Sequence, residues 1–287
     1  MSLPPFPYFG GKMSVADRIV GLLPEHASYV EPYAGSLAVL FAKPVSKHEA
    51  VNDIDGNLMT FWRVLRSQPE ELTRVCALSP HSRAEFRTLD VNAPGLDELE
   101  RARRVWVKLT QSRSGTLRPT GWRHYVDPAG TSSAMPGYLR GYLGRFAGAV
   151  ERLQNVSLDS RPGLEIISKY GRFADVCLYV DPPYLGALRS AHSYAHEMHT
   201  EAEHAQLLDA LLGCTAAVVL SGYASDLYDT ALAGWTRVEI PSATGNGAAG
   251  GQARTEIVWC NREVGHLTLW DAPTDETAAT TPQEVLP

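Results

Sequence analysis

VCLYVDPPY, at residues 176–184, is the part of the chain that points most directly to a fold class. Its first five residues are uninterruptedly apolar, which is typical of a strand buried on both faces of a parallel sheet. Asp181 and two prolines follow at once, so a polar and rigid loop begins where the strand ends. Ligands of open α/β sheets bind outside the carboxyl ends of such strands. The stretch therefore predicts an α/β fold with a binding site around Asp181.

Further strands are predicted on both sides of this stretch. Residues 28–31 and 49–52 are short runs that pass from apolar to polar, with a helical pattern between them, and residues 216–220 form a second continuous apolar run. This alternation is typical of a parallel sheet with crossover helices. Residues 236–240 and 255–260 flank a glycine-rich segment and predict an antiparallel hairpin that closes the sheet.

The middle of the chain lacks buried-strand runs and has helical periodicity instead. The helical patterns cover residues 58–65, 69–78, 96–111 and 137–153. The predicted organisation is a discontinuous α/β domain at 1–57 and 154–268, a helical insert at 58–153, and a disordered tail at 269–287 that is rich in Thr, Ala, Pro and acids.

Charge is concentrated in one part of the insert. The formal net charge of the chain is −6, from 26 basic and 32 acidic residues, which argues against a protein that coats nucleic acid. Residues 101–150, however, hold nine basic residues and one acid, so that this window carries +8 and the remainder −14. Aromatic residues are interleaved with the basic ones, as suits phosphate contact and base stacking. The alternative is a helical surface whose arginines pair with acids elsewhere in the fold. We expect DNA contacts from Arg113, Arg118, Arg123 and Tyr125.

Several other classes of protein are disfavoured. With 287 residues and 44% hydrophobic composition, the chain can bury a full core. It contains no apolar run of membrane-spanning length, and its amino terminus lacks the layout of a signal peptide, so we expect a cytoplasmic protein with no membrane partner. The sequence does not determine the oligomeric state, and a monomer is favoured. The four cysteines are far apart and are expected to be reduced, buried thiols.

Two kinds of ligand site are also disfavoured. The Gly10-Gly11-Lys12 segment lacks the spacing of a phosphate loop, which excludes an ATPase of that type. Four histidines cluster after the DPPY loop, and three of them could share a helix face as metal ligands; the four are His192, His196, His199 and His204. Because no cysteine lies nearby, we favour polar contacts for them and expect no metal.

Three motifs accompany the DPPY loop. Glu31-Pro32-Tyr33-Ala34-Gly35-Ser36 follows a strand and opens a helix, so its glycine turn lets backbone amides approach a polar ligand. Asn52-Asp53-Ile54-Asp55 ends the next strand, and Asp53 lies 18 positions after Gly35, close to the spacing of a ribose-hydroxyl acceptor. Tyr8-Phe9-Gly10-Gly11-Lys12 precedes an amphipathic segment.

In DPPY itself, the Asp181 carboxylate and the Pro182 carbonyl offer two acceptors for an exocyclic amino group, and Tyr184 offers a flat face for a base.

Taken in order, these four motifs resemble those of the Dam-type (D12 class) DNA adenine-N6 methyltransferases. The segments at 220–223 and 254–259 add to the resemblance, which spans about residues 6–262. It implies a Rossmann-like sheet that binds S-adenosylmethionine, with the insert as the target-recognition part that binds double-stranded DNA. The family is widespread in bacteria and their phages, both as lone enzymes and within restriction-modification systems.

The resemblance also implies roles for individual residues. The cofactor-binding positions would be Tyr8, Gly11, Lys12, Glu31, Gly35, Asp53 and Asp181. The target adenine would be flipped from the duplex and stacked on Tyr184, while Asp181 and the Pro182 carbonyl accept hydrogen bonds from its N6 amino group.

The sequence departs from the family pattern at three places. Ser36-Leu37 follows Gly35 where a second glycine is usual, Tyr8 stands where tryptophan is common, and Arg161-Pro162-Gly163 stands where an acid near the cofactor adenine is expected. Two alternatives stay open. One is a cytosine-N4 or other amino methyltransferase with the same fold, against which the aspartate at position 181 argues. The other is a catalytically degenerate DNA-binding protein.

Overall fold

The computed structural model describes residues 2–124, 134–184, 198, 200–242 and 254–264. The strands are β1 Ser28–Glu31, β2 His48–Asn52, β3 Val156–Asp159, β4 Val176–Val180, β5 Ala217–Gly222, β6 Thr236–Ser242 and β7 Arg254–Cys260. The helices are α1 Ala16–Gly21, α2 Ala38–Ala42, α3 Gly56–Ser67, α4 Pro69–Ala77, α5 Arg83–Thr88, α6 Glu98–Gln111, α7 Met135–Leu143, α8 Phe146–Leu153, α9 Gly163–Tyr170, α10 Glu201–Leu212 and α11 Asp226–Ala231. Within these residues, no helix combines the length and the apolar character needed to cross a membrane.

One seven-stranded sheet organises the chain, in the order β3-β2-β1-β4-β5-β7-β6. The first five strands in this order are parallel, whereas β7 is antiparallel to both β5 and β6. The strand order reverses between β1 and β4, which pair with Val30 opposite Leu178. In open α/β sheets such a reversal leaves a ligand-binding crevice at the carboxyl ends of the strands. The predicted α/β fold with a closing antiparallel hairpin is therefore confirmed.

The strands differ in how clearly the sequence predicts them. β1 and β4 have the predicted boundaries, and β4 is buried at all five positions. β3 was not predicted. It lies at the edge of the sheet, and of its four residues only Val156 is buried, so it has no apolar run to mark it.

The helices before β3 pack on one face of the sheet. Asp55 caps α3 by accepting from the amides of Asn57 and Leu58, and the buried face of α3 includes Phe61 and Trp62. These two rings share a hydrophobic core with Tyr29 and other sheet residues. Complete burial of a side chain such as Phe61 contributes roughly 2–3 kcal/mol. The helices of the predicted insert are thus joined to the sheet by a common core, and the division at residues 58 and 153 stays a prediction.

Two helical details differ from the sequence prediction. The pattern over residues 137–153 forms two helices, α7 and α8, which are separated at Gly144. The helices α5, α9 and α11 were not predicted. The other face of the sheet is covered by α9, α10 and α11, where Leu207 and Leu211 pack against Val218 and its neighbours. The predicted tail lies outside the described residues.

Candidate active site

A cavity of about 330 Å³ lies at the carboxyl ends of β1, β2 and β4. It is lined by the segment before α1, the turns that follow β1 and β2, and the loop that follows β4. The lining includes all seven predicted cofactor residues, namely Tyr8, Gly11, Lys12, Glu31, Gly35, Asp53 and Asp181. Of the predicted catalytic group, Asp181 lies on the wall, Pro182 is buried behind it, and Tyr184 lies beside Asp181.

The glycine turn after β1 is held by the end of β2. Gly35 has φ +48°, and its amide donates to Oδ2 of Asp53 at 3.0 Å. The other oxygen of Asp53 accepts from the amide of Asp55 at 3.0 Å. A Cβ atom on Gly35 would lie 3.1 Å from Cε1 of Tyr8, so the ring of Tyr8 is packed directly on the turn. Glycine is required here both for its backbone conformation and for this close approach.

The turn after β1 lacks a second glycine, and Leu37 has an unusual backbone conformation there. Leu37, at the amino end of α2, adopts φ 58° and ψ 29°, a left-handed conformation. It is the one non-glycine residue with positive φ among the described residues. Its side chain is fully buried in the core. The turn therefore keeps a glycine-like backbone without a glycine, at a conformational cost of roughly 1–2 kcal/mol.

Asn52 ties the end of β1 to the loop after β3. Its Nδ2 donates to the Pro32 carbonyl at 2.8 Å and to the Arg161 carbonyl at 2.9 Å, and its Oδ1 accepts from the Arg161 amide at 2.8 Å. Behind this loop, a Cβ atom on Gly163 would lie 2.5 Å from the Tyr33 ring. The segment without the expected acid thus forms a close-packed wall of the cavity, and Asn52 is a positioning residue that the sequence did not single out.

Lys12 and Asp181 join the first and the last of the four motifs. The ammonium of Lys12 lies 2.8 Å from each carboxylate oxygen of Asp181 and 2.8 Å from the Gly10 carbonyl. The Lys12 side chain is 6% exposed and that of Asp181 19%. The ammonium also lies 4.8 Å from the centre of the Tyr184 ring.

The Tyr184 hydroxyl lies between two carboxylates. It is 3.0 Å from Oδ1 of Asp181 and also contacts Oε1 of Glu256. The Tyr223 ring packs against the Tyr184 ring at 4.5 Å and 70°. Lys12 and Tyr223 both contact this ring. Less of its surface is therefore open to a stacked base than the sequence alone suggests.

Glu256 on β7 is a site residue that the sequence analysis missed. It is 6% exposed, and its Oε1 lies 3.7 Å from the Lys12 ammonium. Burial, aided by the negative charge of Asp181, raises the pKa of Glu256 to about 7. The segment 254–259 contributed to the family resemblance, but no role was attached to it. Only the pairing of β7 with β5 brings this residue back to the loop that follows β4.

Glu31 is a second buried carboxyl group at the cavity. It is 1% exposed, and its Oε1 accepts from the Tyr29 hydroxyl at 2.7 Å. Burial raises the pKa of Glu31 to about 8. Together with Asp181 and Asp53, it gives the cavity an acidic lining, which suits a ligand that carries positive charge.

Much of the basic window has partners inside the fold. Arg103 pairs with Glu85 at 2.8 Å and with Glu100 at 2.6 Å, and Arg104 pairs with Glu100 at 2.7 Å. Backbone carbonyls accept from three more of these basic side chains, those of Arg101, Lys108 and Arg145. For Arg103 and Arg104 the structure supports the alternative interpretation, pairing with acids of the fold, while the other three side chains are engaged by the backbone.

The remaining predicted DNA contacts lie on a loop that is anchored to the cavity wall. The Phe9 amide donates to the Gly115 carbonyl at 2.9 Å, which fixes the loop next to the first motif. Arg113 is exposed, whereas Arg118 and Arg123 are half-buried. Close to Arg123, the Trp122 ring stacks on His81 at 4.3 Å. Tyr125 lies outside the described residues.

The histidines form no metal site in the part of the chain that can be examined. His204 is buried on α10, and its Nδ1 lies 2.7 Å from the Tyr228 hydroxyl. His192, His196 and His199 lie outside the described residues. No group of three or more candidate metal ligands occurs among the residues that are described.

The sequence is similar to those of known methyltransferases. Residues 8–118 match the D12 class N6 adenine-specific DNA methyltransferases. A Type II methyltransferase of Lactococcus lactis subsp. cremoris is 26% identical over 278 residues, which cover 91% of this chain and 96% of that relative. The resemblance seen in the sequence is thus supported over residues 8–118 by the family model and along most of the chain by the relative.

Solved structures are similar only at a low level. A precorrin-8w decarboxylase of Methanobacterium thermoautotrophicum has a TM-score of 0.37 and 10% identity, over 91% of this chain and 94% of the other. An rRNA methylase of Streptococcus thermophilus has a TM-score of 0.34 and 12% identity, over 87% of this chain and 96% of the other. Both similarities are too low to support a functional conclusion.

Proposed function

We propose that this methyltransferase transfers a methyl group from S-adenosylmethionine to the N6 amino group of a flipped adenine in a specific double-stranded DNA sequence. The observation that carries the proposal is the cavity at the reversal of strand order. Residues far apart in the chain converge there, and they are the positions that the family motifs single out, including Lys12, Asp53 and Asp181. A cytoplasmic site of action fits the DNA substrate.

The donor groups of the cavity fit S-adenosylmethionine. When bound, this cofactor supplies an electrophilic methyl group on a positively charged sulfur. Asp53 and Asp181 place carboxylates on the walls, and Glu31 adds a buried carboxyl group. Gly35 lets the Tyr8 ring pack directly on the turn beside the cavity. Asp53 accepts a backbone N–H on each oxygen, which holds its carboxylate at the cavity wall, where a carboxylate suits ribose hydroxyls.

The DPPY loop supports the role proposed for Asp181. Lys12 takes one acceptor position on each oxygen of Asp181 and Tyr184 takes a second on Oδ1, which leaves a lone pair on Oδ2 for an amino group. Hydrogen bonds from N6 to Asp181 and to the Pro182 carbonyl would withdraw the nitrogen lone pair from the ring and direct it toward the methyl group. Lys12 orients the carboxylate for this task. Catalysis on this view is alignment and electrostatics.

The loop at 112–124 supports the proposed contact with duplex DNA. Its arginines, Arg113, Arg118 and Arg123, lie on an element that contacts the first motif, and so they flank the cavity. The exposed guanidinium of Arg83 lies 5.1 Å from the centre of the Trp122 ring and extends this surface beyond the 101–150 window. Guanidinium groups beside an aromatic ring suit phosphates and an unstacked base.

The test is to incubate the purified protein with unmethylated duplex DNA and S-adenosylmethionine that carries a labelled methyl group, and then to identify the labelled nucleosides. We expect N6-methyladenine, and its sequence context gives the recognition site. Labelled N4-methylcytosine would overturn the adenine assignment. No label, in a protein that binds the cofactor, would overturn DNA as the substrate.

A matched pair of substitutions on β4 locates the chemistry. Asp181→Ala, at the carboxyl end of the strand, should abolish labelling and leave DNA binding measurable. Asp175→Ala, just before the amino end of the same strand, should label DNA like the unmodified protein, since it lies at the opposite edge of the sheet. Turnover by Asp181→Ala would remove this carboxylate from the mechanism.

A further inference from the structure

Tyr29 and Glu31 form a buried pair on one face of β1. Residues two apart on a strand share a face, so the tyrosine lies directly behind the glutamate as seen from the cavity. The two side chains are 0% and 1% exposed, and the hydroxyl donates to Oε1 at 2.7 Å. Glu31 lines the cavity, whereas Tyr29 does not. Tyr29 therefore reaches the cavity through its hydrogen bond to Glu31.

The surroundings of Glu31 contain little to balance its charge. The Leu40 amide, in the first turn of α2, donates to it, and Tyr29 donates from β1. The β4 side contributes Tyr179 and the negative charge of Asp181. Among the residues that the structure describes, no cation lies within ion-pair distance of Glu31.

The nearest cation behind Glu31 is Lys43, and it is engaged elsewhere. Its ammonium lies 2.7 Å from Oε1 of Glu49 and 2.7 Å from Oγ of Ser46. Arg152 also donates to Oε1 of Glu49, at 2.8 Å. The same ammonium lies 4.5 Å from the centre of the Tyr29 ring, so the tyrosine stands between this ionic cluster and Glu31.

We propose that Tyr29 is a positioning residue for the cofactor, which acts through Glu31 to set the pH range in which the cavity binds a cationic ligand. The inference rests on the proposed function, because the cation concerned is that of S-adenosylmethionine. Glu31 carries a proton in the empty cavity at neutral pH and releases it when the cation arrives. Binding of the cofactor is thus coupled to the loss of a proton.

How cofactor binding depends on pH follows from the groups that shift the pKa of Glu31. Burial raises the pKa of Glu31 to about 8, and the hydrogen bond from Tyr29 opposes that rise. Below this pH the cation must displace a proton, so the apparent affinity weakens by about tenfold per pH unit. Removing the Tyr29 hydroxyl raises the pKa of Glu31 further and moves the weakening to higher pH.

The experiment is calorimetric titration of the full chain with S-adenosylmethionine from pH 6.5 to 9, in phosphate and in Tris. These buffers differ in ionisation enthalpy, so the difference in heat counts the protons released. At pH 7 the unmodified protein should release about one proton per cofactor bound, and the number should fall toward zero above the pKa of Glu31. Glu31→Gln supplies the baseline, since it reports protons lost by the cofactor itself.

Two tyrosine variants separate positioning from general packing. Tyr29→Phe should shift the proton-release midpoint upward, and a shift of about one unit would weaken binding at pH 8 about fivefold. Tyr179→Phe removes a buried hydroxyl from the neighbouring strand, one that contacts Ser221 at 3.0 Å instead of Glu31, and should keep the midpoint of the unmodified protein. Thermal unfolding checks that each variant is folded.

The outcomes are distinct. Release equal to that of Glu31→Gln would overturn the inference while the cofactor assignment stands. An unchanged midpoint in folded Tyr29→Phe would remove Tyr29 from the scheme. If the unmodified protein bound no S-adenosylmethionine at any pH, the proposed function and this inference would fall together.

Discussion

The Lys12 ammonium contacts both carboxylate oxygens of Asp181 at 2.8 Å, although the two residues are 169 positions apart in the chain. The contact joins the segment before α1 to the loop after β4, across the mouth of the cavity. It orients the carboxylate that is proposed to meet the target amino group. The ion pair is therefore both a structural link and part of the proposed catalytic machinery.

Removing Lys12 should cost both stability and activity. Lys12→Met leaves Asp181 and Glu256 without the cation that lies between them, and loss of one partner from a largely buried pair costs roughly 3 kcal/mol. Urea unfolding measures this cost, and the labelled-methyl assay should show activity lost.

The double variant Lys12→Met with Asp181→Asn separates the two effects. It should recover part of the lost stability, because no unpaired charge is left at position 181, and it should stay inactive. A double variant no more stable than Lys12→Met would show that the ion pair is not the cause of the cost.

Glu256 should make stability depend on pH in a defined direction. Burial raises its pKa to about 7, so the folded protein holds a proton there that the unfolded chain releases near its ordinary pKa of about 4.5. The contribution of this proton to the free energy of unfolding is complete below the pKa of Glu256 in the unfolded chain. It is lost as the pH rises through 7. The free energy of unfolding of Glu256→Gln, relative to the unmodified protein, should therefore increase between pH 5 and pH 8.5.

Urea unfolding of both proteins at these two pH values checks the prediction. Costs that do not depend on pH, such as lost packing or a weaker contact with Tyr184, cancel in the comparison. Parallel curves for the two proteins across this range would contradict the raised pKa.

Some arginines of the basic window are paired inside the fold and others lie on the loop at 112–124, so we expect substitutions in the two groups to have different effects. Arg113→Gln and Arg123→Gln should weaken DNA binding and flatten the dependence of log Kd on log salt by about one unit per lost phosphate contact. Arg103→Gln removes a side chain held by Glu85 and Glu100, so it should lower stability and leave the salt slope unchanged.

Fluorescence titration with a duplex at several salt concentrations distinguishes the classes. An altered slope for Arg103→Gln, or an unaltered slope for both loop variants, would place the DNA surface elsewhere on the protein.

How much of this could be predicted from sequence depends on which physical signal each feature leaves. The strands β4 and β5 leave continuous apolar runs, and the polar residues after β4 mark the carboxyl edge, so the position of the cavity could be predicted. The seven cofactor residues among its lining followed from the family resemblance. The edge strand β3 buries only Val156 and leaves no such run.

Features that depend on long-range pairing were not accessible in the same way. Glu256 enters the site only through the hairpin pairing of β7 with β5. Composition showed that residues 101–150 are basic, but not that Glu85 and Glu100 neutralise part of that charge. In the same way, the sequence showed that a glycine is missing after Gly35, but not which residue takes over its backbone conformation.

Substitutions at Leu37 can measure what that conformation costs. Leu37→Ala removes a fully buried side chain and should lower stability by roughly 2–5 kcal/mol, while the left-handed backbone at φ 58° is kept. Leu37→Gly removes the same side chain and also relieves the backbone. At an ordinary helix position glycine is less stable than alanine by about 0.5–1 kcal/mol. Here the order should reverse, with glycine more stable by about 1 kcal/mol.

The measurement is the free energy of unfolding of both variants in urea, compared with the same pair of substitutions at Leu40. That residue is also fully buried but lies within α2, so the ordinary order, alanine above glycine, should hold there. The same order at both positions would mean that Leu37 carries no left-handed strain. A reversal at Leu37 alone would show that the turn keeps its glycine-like shape because burial of the leucine outweighs the strain.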